Sequence, residues 1–76
     1  MSSHRFDGFT KINSGHIDGA KHDPIQRRMT VRYKNGYEYE VHGVSSGDYQ
    51  AFMDAPSPGA HWHAHIKDNY HVERVR

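Results

Sequence analysis

The sequence predicts an α+β fold, a three-stranded antiparallel β-meander packed against two short C-terminal helices. Two runs that alternate apolar and polar residues flank Asn35-Gly36, which is a hairpin signal. Ser45 and Ser57 each precede a short helical pattern, which is a helix-start signal. Asp23-Pro24 closes a segment ahead of the hairpin and supplies the third strand.

Residues 1–14 read as a flexible polar lead-in, and residues 15–76 as a single domain. Phe6, Phe9 and Ile12 recur at three-residue spacing, but Gly8, Asn13 and Gly15 oppose a stable helix. Some of these apolar side chains are expected to lie over the core as a loop. The first strand runs from His16 to His22. It is the weakest of the three, because Gly19 and Ala20 offer little to pack.

The next two strands, Arg28 to Lys34 and Tyr37 to His42, fix their own register. A two-residue Asn35-Gly36 loop would set Tyr33 opposite Glu38 and Val31 opposite Glu40, mixing the faces. A three-residue Lys34-Asn35-Gly36 loop sets Tyr33 opposite Tyr37, Val31 opposite Tyr39 and Met29 opposite Val41. The other face then pairs Arg32 with Glu38, Thr30 with Glu40 and Arg28 with His42, as sheets favour. The longer loop is predicted, with Gly36 in the left-handed conformation of a G1 bulge.

Ser45 is the expected cap of the first helix, with Asp48 completing a capping box and Val44 and Tyr49 a hydrophobic staple. Tyr49, Phe52 and Met53 line its buried face, and Ala55-Pro56 ends it near Asp54. Ser57 caps the second helix with Pro58 at its first position. In that helix Trp62, Ile66 and Tyr70 form the buried stripe, and the tail from Val72 to Arg76 is extended or frayed.

Composition narrows the function. A chain of 76 residues buries only about 60% of its unfolded surface, and this one has no leucine, so aromatics and β-branched residues must fill the core. It has no cysteine, which removes disulfides, thiolate zinc sites and thiol nucleophiles. No apolar stretch approaches a membrane span, so a soluble cytoplasmic domain without a membrane partner is expected. The net charge of +1 does not announce nucleic acid. The eight histidines are dispersed and do not form a tag.

From His22 to the C-terminus the sequence resembles the KTSC domain, a module named for its place at the C-terminus of some lysyl-tRNA synthetases. The likeness is carried by His22-Asp23-Pro24, Met29-x-Val31-x-Tyr33, Gly36, and Tyr39 leading to Val44. It continues through Tyr49, Phe52, Ala55-x-Ser57-x-Gly59, His61-Trp62, Ile66 and Tyr70, with the first strand around Ile17. Two positions depart from the family pattern. Its Tyr-x-Tyr motif falls on Tyr39-Glu40-Val41, while a literal Tyr37-Glu38-Tyr39 lies two residues earlier. His61 stands where an aromatic residue is common. The synthetase fusion implies RNA or tRNA as a partner.

The tyrosines could form a stacking platform, but the hairpin register sets Tyr33, Tyr37 and Tyr39 on the core face, with Tyr37 nearest the exposed tip. Arg28 and Arg32 stand beside carboxylates on the other face. Arg27, Arg28, Lys67, Arg74 and Arg76 would gather if the tail returned beside the second strand of the meander. The run His61-Trp62-His63-Ala64-His65 puts His61 and His65 on one helix face, and a metal site there needs a further ligand from His42, His71 or Asp68. No nucleophile elbow or phosphate loop is present, so an enzyme is not expected, and no cofactor is assigned.

The leading reading is a non-enzymatic binding module that contacts RNA through Tyr37, Tyr39, Arg28, Arg32, Lys67 and Arg74. The second is a protein-interaction module of phage or mobile-element origin that binds and modulates a host protein, anchored by an exposed Trp62 or Phe9.

Overall fold

The structure is a computed structural model and describes residues 8–76. Phe6 and the first half of the lead-in lie outside the described residues. The fold is α+β, with one antiparallel sheet and two helices, but the sheet has five strands in the order β1-β2-β3-β4-β5. They are β1 (Thr10–Lys11), β2 (Ile17–Asp23), β3 (Arg28–Tyr33), β4 (Glu38–His42) and β5 (His71–Arg74). Helices α1 (Ser46–Asp54) and α2 (Pro58–His61) lie in the connection from β4 to β5, and α2 runs into a π-helical turn, Trp62–Ile66.

β1 comes from the segment expected to be a loop and β5 from the tail expected to be extended or frayed, with neither expected to join the sheet. Ile12 is buried, and its N–H donates to the Asp18 carbonyl at 3.0 Å, which lays Thr10 and Lys11 against Ala20 and Gly19. The sheet therefore begins before residue 15. At the other end, Val72 packs against the core, and its strand pairs with β4 from Tyr39↔Arg74 to His42↔His71. Pairing there satisfies the outer N–H and C=O groups of β4, which an edge strand leaves open.

The hairpin has the predicted register. Met29 pairs with Val41, Val31 with Tyr39 and Arg32 with Glu38. The Gly36 N–H donates to the Tyr33 carbonyl at 2.9 Å, and Gly36 has φ 96°, where a side chain would be strained. β2 carries a one-residue register shift between Ile17 and Gly19. That bulge turns both Ile17 and Ala20 inward, which simple alternation would not do.

The helices cover one face of the sheet. Met29, Val31 and Val41 lie fully buried beneath Phe52, Trp62 and Ile66, each worth about 1.5–3 kcal/mol of burial for a side chain of Met or Val size. Ser45 and Ser57 cap as expected, accepting from the N–H groups of Asp48 at 3.1 Å and Ala60 at 3.4 Å. The second helix does not reach Tyr70. The Lys67 N–H reaches back five residues to the Trp62 carbonyl at 2.8 Å, and the Asn69 side chain donates to the His65 carbonyl at 2.9 Å. These bonds satisfy the final carbonyls and stop the helix. Trp62 and Ile66 remain buried, and Tyr70 packs at the core margin.

Candidate nucleic-acid interface

The six residues expected to contact RNA do not share one surface. Alternation along β3 buries Met29 and Val31 and turns Arg28 and Arg32 to the open face of the sheet. Arg28 Nη1 lies 3.5 Å from Glu40 Oε1. Arg32 Nε donates to Asp18 Oδ2 at 3.2 Å, and its guanidinium also covers the Phe9 ring at 4.1 Å. Both cations are thus matched by carboxylates. A cleft of about 260 Å³ beside Arg28 mixes Lys21 with Asp23 and Glu40, which does not suit a phosphate.

Tyr37, Tyr39 and Arg74 do come together, at the hairpin end of the helix-covered face. Arg74 is the cross-strand partner of Tyr39. Its guanidinium lies 4.4 Å from the centroid of the Tyr37 ring, within cation–π range, and Tyr37 is 43% exposed. Tyr39 is half-buried, with ring centroids 5.2 Å from Tyr33 and 6.5 Å from Trp62. It packs rather than presents a face. Pairing continues past β5, since the Glu38 N–H donates to the Arg76 carbonyl at 3.2 Å. The Arg76 side chain is 76% exposed and lies 3.9 Å from Glu38.

The tail therefore returns beside β4 and not beside β3, so Arg74 and Arg76 do not join Arg28. Lys67 stands exposed after the π-helical turn. Trp62 is 1% exposed and donates its indole N–H to the Tyr33 hydroxyl at 2.6 Å, so it offers no surface anchor. Phe9 is half-buried under Lys21 and Arg32. Ile25, at the β2–β3 turn, is the large apolar side chain that stands out, 92% exposed.

The histidines divide by place. His61 and His65 share a helix face, with ring centroids 4.8 Å apart, while His63 turns to His16 at 5.2 Å. Partial burial and the nearby His65 lower the pKa of His61. His22 Nε2 lies 2.7 Å from the Val44 carbonyl, so that nitrogen must carry the proton and donate. Its ring also stacks on Tyr49 at 4.9 Å. In the first turn of α1, the Tyr70 hydroxyl donates to Asp48 Oδ2 at 2.9 Å. That bond and the Ser45 cap hold the Asp48 carboxyl below its ordinary pKa.

A family model for the KTSC domain matches residues 13–70. The chain belongs to the KTSC family. The structure is similar to that of a KTSC domain protein from Yersinia pestis, with a TM-score of 0.82 and 25% identity, covering 90% of this chain and 96% of that one. Comparison with curated proteins finds no match.

Many residues that carry the KTSC resemblance turn out to hold the fold. His22 with Val44 and Tyr49 locks β2 to the start of α1. Gly59 lies against His16, where an added Cβ would stand 2.8 Å from the ring, so a larger residue in the Ser-x-Gly turn would have to push aside the side chains of the β1–β2 connection. At the Tyr-x-Tyr position, Val41 is fully buried and Tyr39 packs in the ring cluster. Of Tyr37 and Tyr39, the earlier ring, Tyr37, is the exposed one.

Proposed function

We propose that this KTSC protein is a non-enzymatic module that holds unpaired RNA at the edge formed by Tyr37, Tyr39 and Arg74. The observation that carries the reading is the stack of the Arg74 guanidinium on the exposed Tyr37 ring. Bases stack on aromatic faces and on arginine planes, so one base extends this stack on the outer side of the guanidinium. Arg76 follows Arg74 by two residues, 76% exposed and only loosely paired with Glu38 at 3.9 Å, and supplies charge for a neighbouring phosphate. Tyr39 supports the pair from the core side. Arg28, Arg32 and Lys67 lie elsewhere and are left out of the contact.

An amide NMR titration with bulk tRNA, run at low and moderate salt, tests the reading. Shifts confined to Tyr37, Arg74 and Arg76, and weakened by salt, are expected. Arg74→Ala should lower the salt slope by about one unit, whereas Tyr37→Ala should weaken binding with little change in slope. Shifts centred on Arg28 and Arg32, or none at either salt, would overturn it.

A further inference from the structure

Two histidines and two glutamates meet on the open face where β4 pairs with β5. His42 and His71 are direct cross-strand partners, with ring centroids 5.1 Å apart. Glu73 follows His71 by two residues, so the pleat returns it to the same face. His42 Nε2 lies 3.1 Å from Glu73 Oε1 and 3.4 Å from Glu40 Oε1. One ligand atom each from His42, His71 and Glu73 can be chosen so that all lie within 4.8 Å of one another.

We propose that His42, His71 and Glu73 bind a divalent transition-metal ion of the zinc class, leaving further positions to water. With metal–ligand bonds of about 2.0–2.1 Å, two donors on a tetrahedral ion stand roughly 3.3 Å apart. The His42–Glu73 pair already has that spacing, and the exposed His71 closes the rest by side-chain rotation. Two imidazoles and a carboxylate favour a borderline ion over calcium or magnesium, which take oxygen ligands. Glu40 and Glu73 are themselves cross-strand partners. Arg28 already sits 3.5 Å from Glu40 on the β3 side, so Glu73, exposed on the outer strand, is the carboxylate left to the ion.

The ion ties the C-terminal strand to β4 and stabilises the folded chain by mass action. The site goes beyond the RNA reading and uses the opposite face of the same strands. The competing run, His61, His63 and His65, does not gather three donors among the described residues.

The test is zinc chloride added to the full chain, followed by amide NMR and by the thermal midpoint. Shifts at residues 40–42 and 71–73 and a raised midpoint are expected. His71→Ala should weaken zinc binding at least about 10-fold, since even indirect supports of a metal site cost 10- to 100-fold. Glu73→Gln, which keeps the shape, should also weaken it, while the double variant His61→Ala, His65→Ala should not. Shifts centred on residues 61–65, affinity unchanged in both His71→Ala and Glu73→Gln, or no shifts in the native chain would overturn the assignment.

Discussion

β4 and β5 carry unlike chemistry on their two faces, although the residues alternate one by one. On the helix-covered face stand Tyr39, Val41 and Val72, fixed by contact with Trp62 and the rest of the core. On the open face stand Glu40, His42, His71 and Glu73, held by register and by polar contacts of 3.1–3.5 Å. The covered face earns its stability chiefly from burial of apolar area, not from charge pairs. Its opposite is an arrangement of charges in water, where each pair contributes about 0–1 kcal/mol. A residue on the open face can therefore be kept for what it binds, at little cost to folding.

The sharpest way to break the contrast is to remove the cover. Trp62→Ala leaves a cavity over Tyr33 and Tyr39 and should cost about 3–5 kcal/mol in denaturant unfolding. His71→Ala, on the open face, should stay within about 0.5 kcal/mol. Equal losses would mean that the two faces do not differ in kind.

The covered face has its own boundary, between Tyr39 and Tyr37. Tyr39→Ala should lose about 2–3 kcal/mol, less than a fully buried ring would, with or without RNA. Tyr37→Ala should leave the unfolding midpoint nearly unchanged and weaken RNA binding by about 1–3 kcal/mol. If Tyr37→Ala unfolds the protein, the ring is structural and the stacking edge is lost with it.

These two tyrosines also show how far the sequence could be read. Local chemistry set the hairpin register, because a one-residue slip would have put Glu38 and Glu40 on the apolar face. The caps at Ser45 and Ser57 were legible for the same reason, since each depends on neighbours a few residues away. β5 was not legible. Its four residues contain one apolar side chain, and its place depends on an open edge of β4 about thirty residues back in the chain. Everything that needs β5 was therefore hidden, including the stack of Arg74 on Tyr37 and the meeting of His42 with His71 and Glu73. The histidine run at 61–65 drew notice because its residues are adjacent in sequence, whereas the three-donor group is assembled across strands.

His22 tests whether a polar group can belong to the covered side. Its donated bond to the Val44 carbonyl and its stack on Tyr49 join β2 to α1. His22→Ala should cost about 1–3 kcal/mol, because the Val44 carbonyl loses its partner. His42→Ala, a histidine of the open face, should change stability far less. Hydrogen exchange at α1 would report the difference.

The smallest expected effect concerns protons. His61 has its pKa lowered by burial first and by His65 second, so the folded chain favours its neutral ring. A lowered folded pKa means that the unfolded chain binds the proton more readily as pH falls. The contribution is complete above the unfolded value of about 6.5 and is lost as pH drops through the lower folded value. Stability should therefore fall modestly as pH drops below about 6.5, and His61→Gln should flatten that slope. Asp48 follows the same rule at lower pH, since Tyr70 and Ser45 hold its carboxyl below its ordinary value. Its share is present above the ordinary carboxylate range and is lost only in acid, so Asp48→Asn should alter the acid limb and leave the His61 slope in place. An unchanged slope in His61→Gln would move the titrating group elsewhere, and the helix side would then be no more proton-sensitive than the rest of the fold.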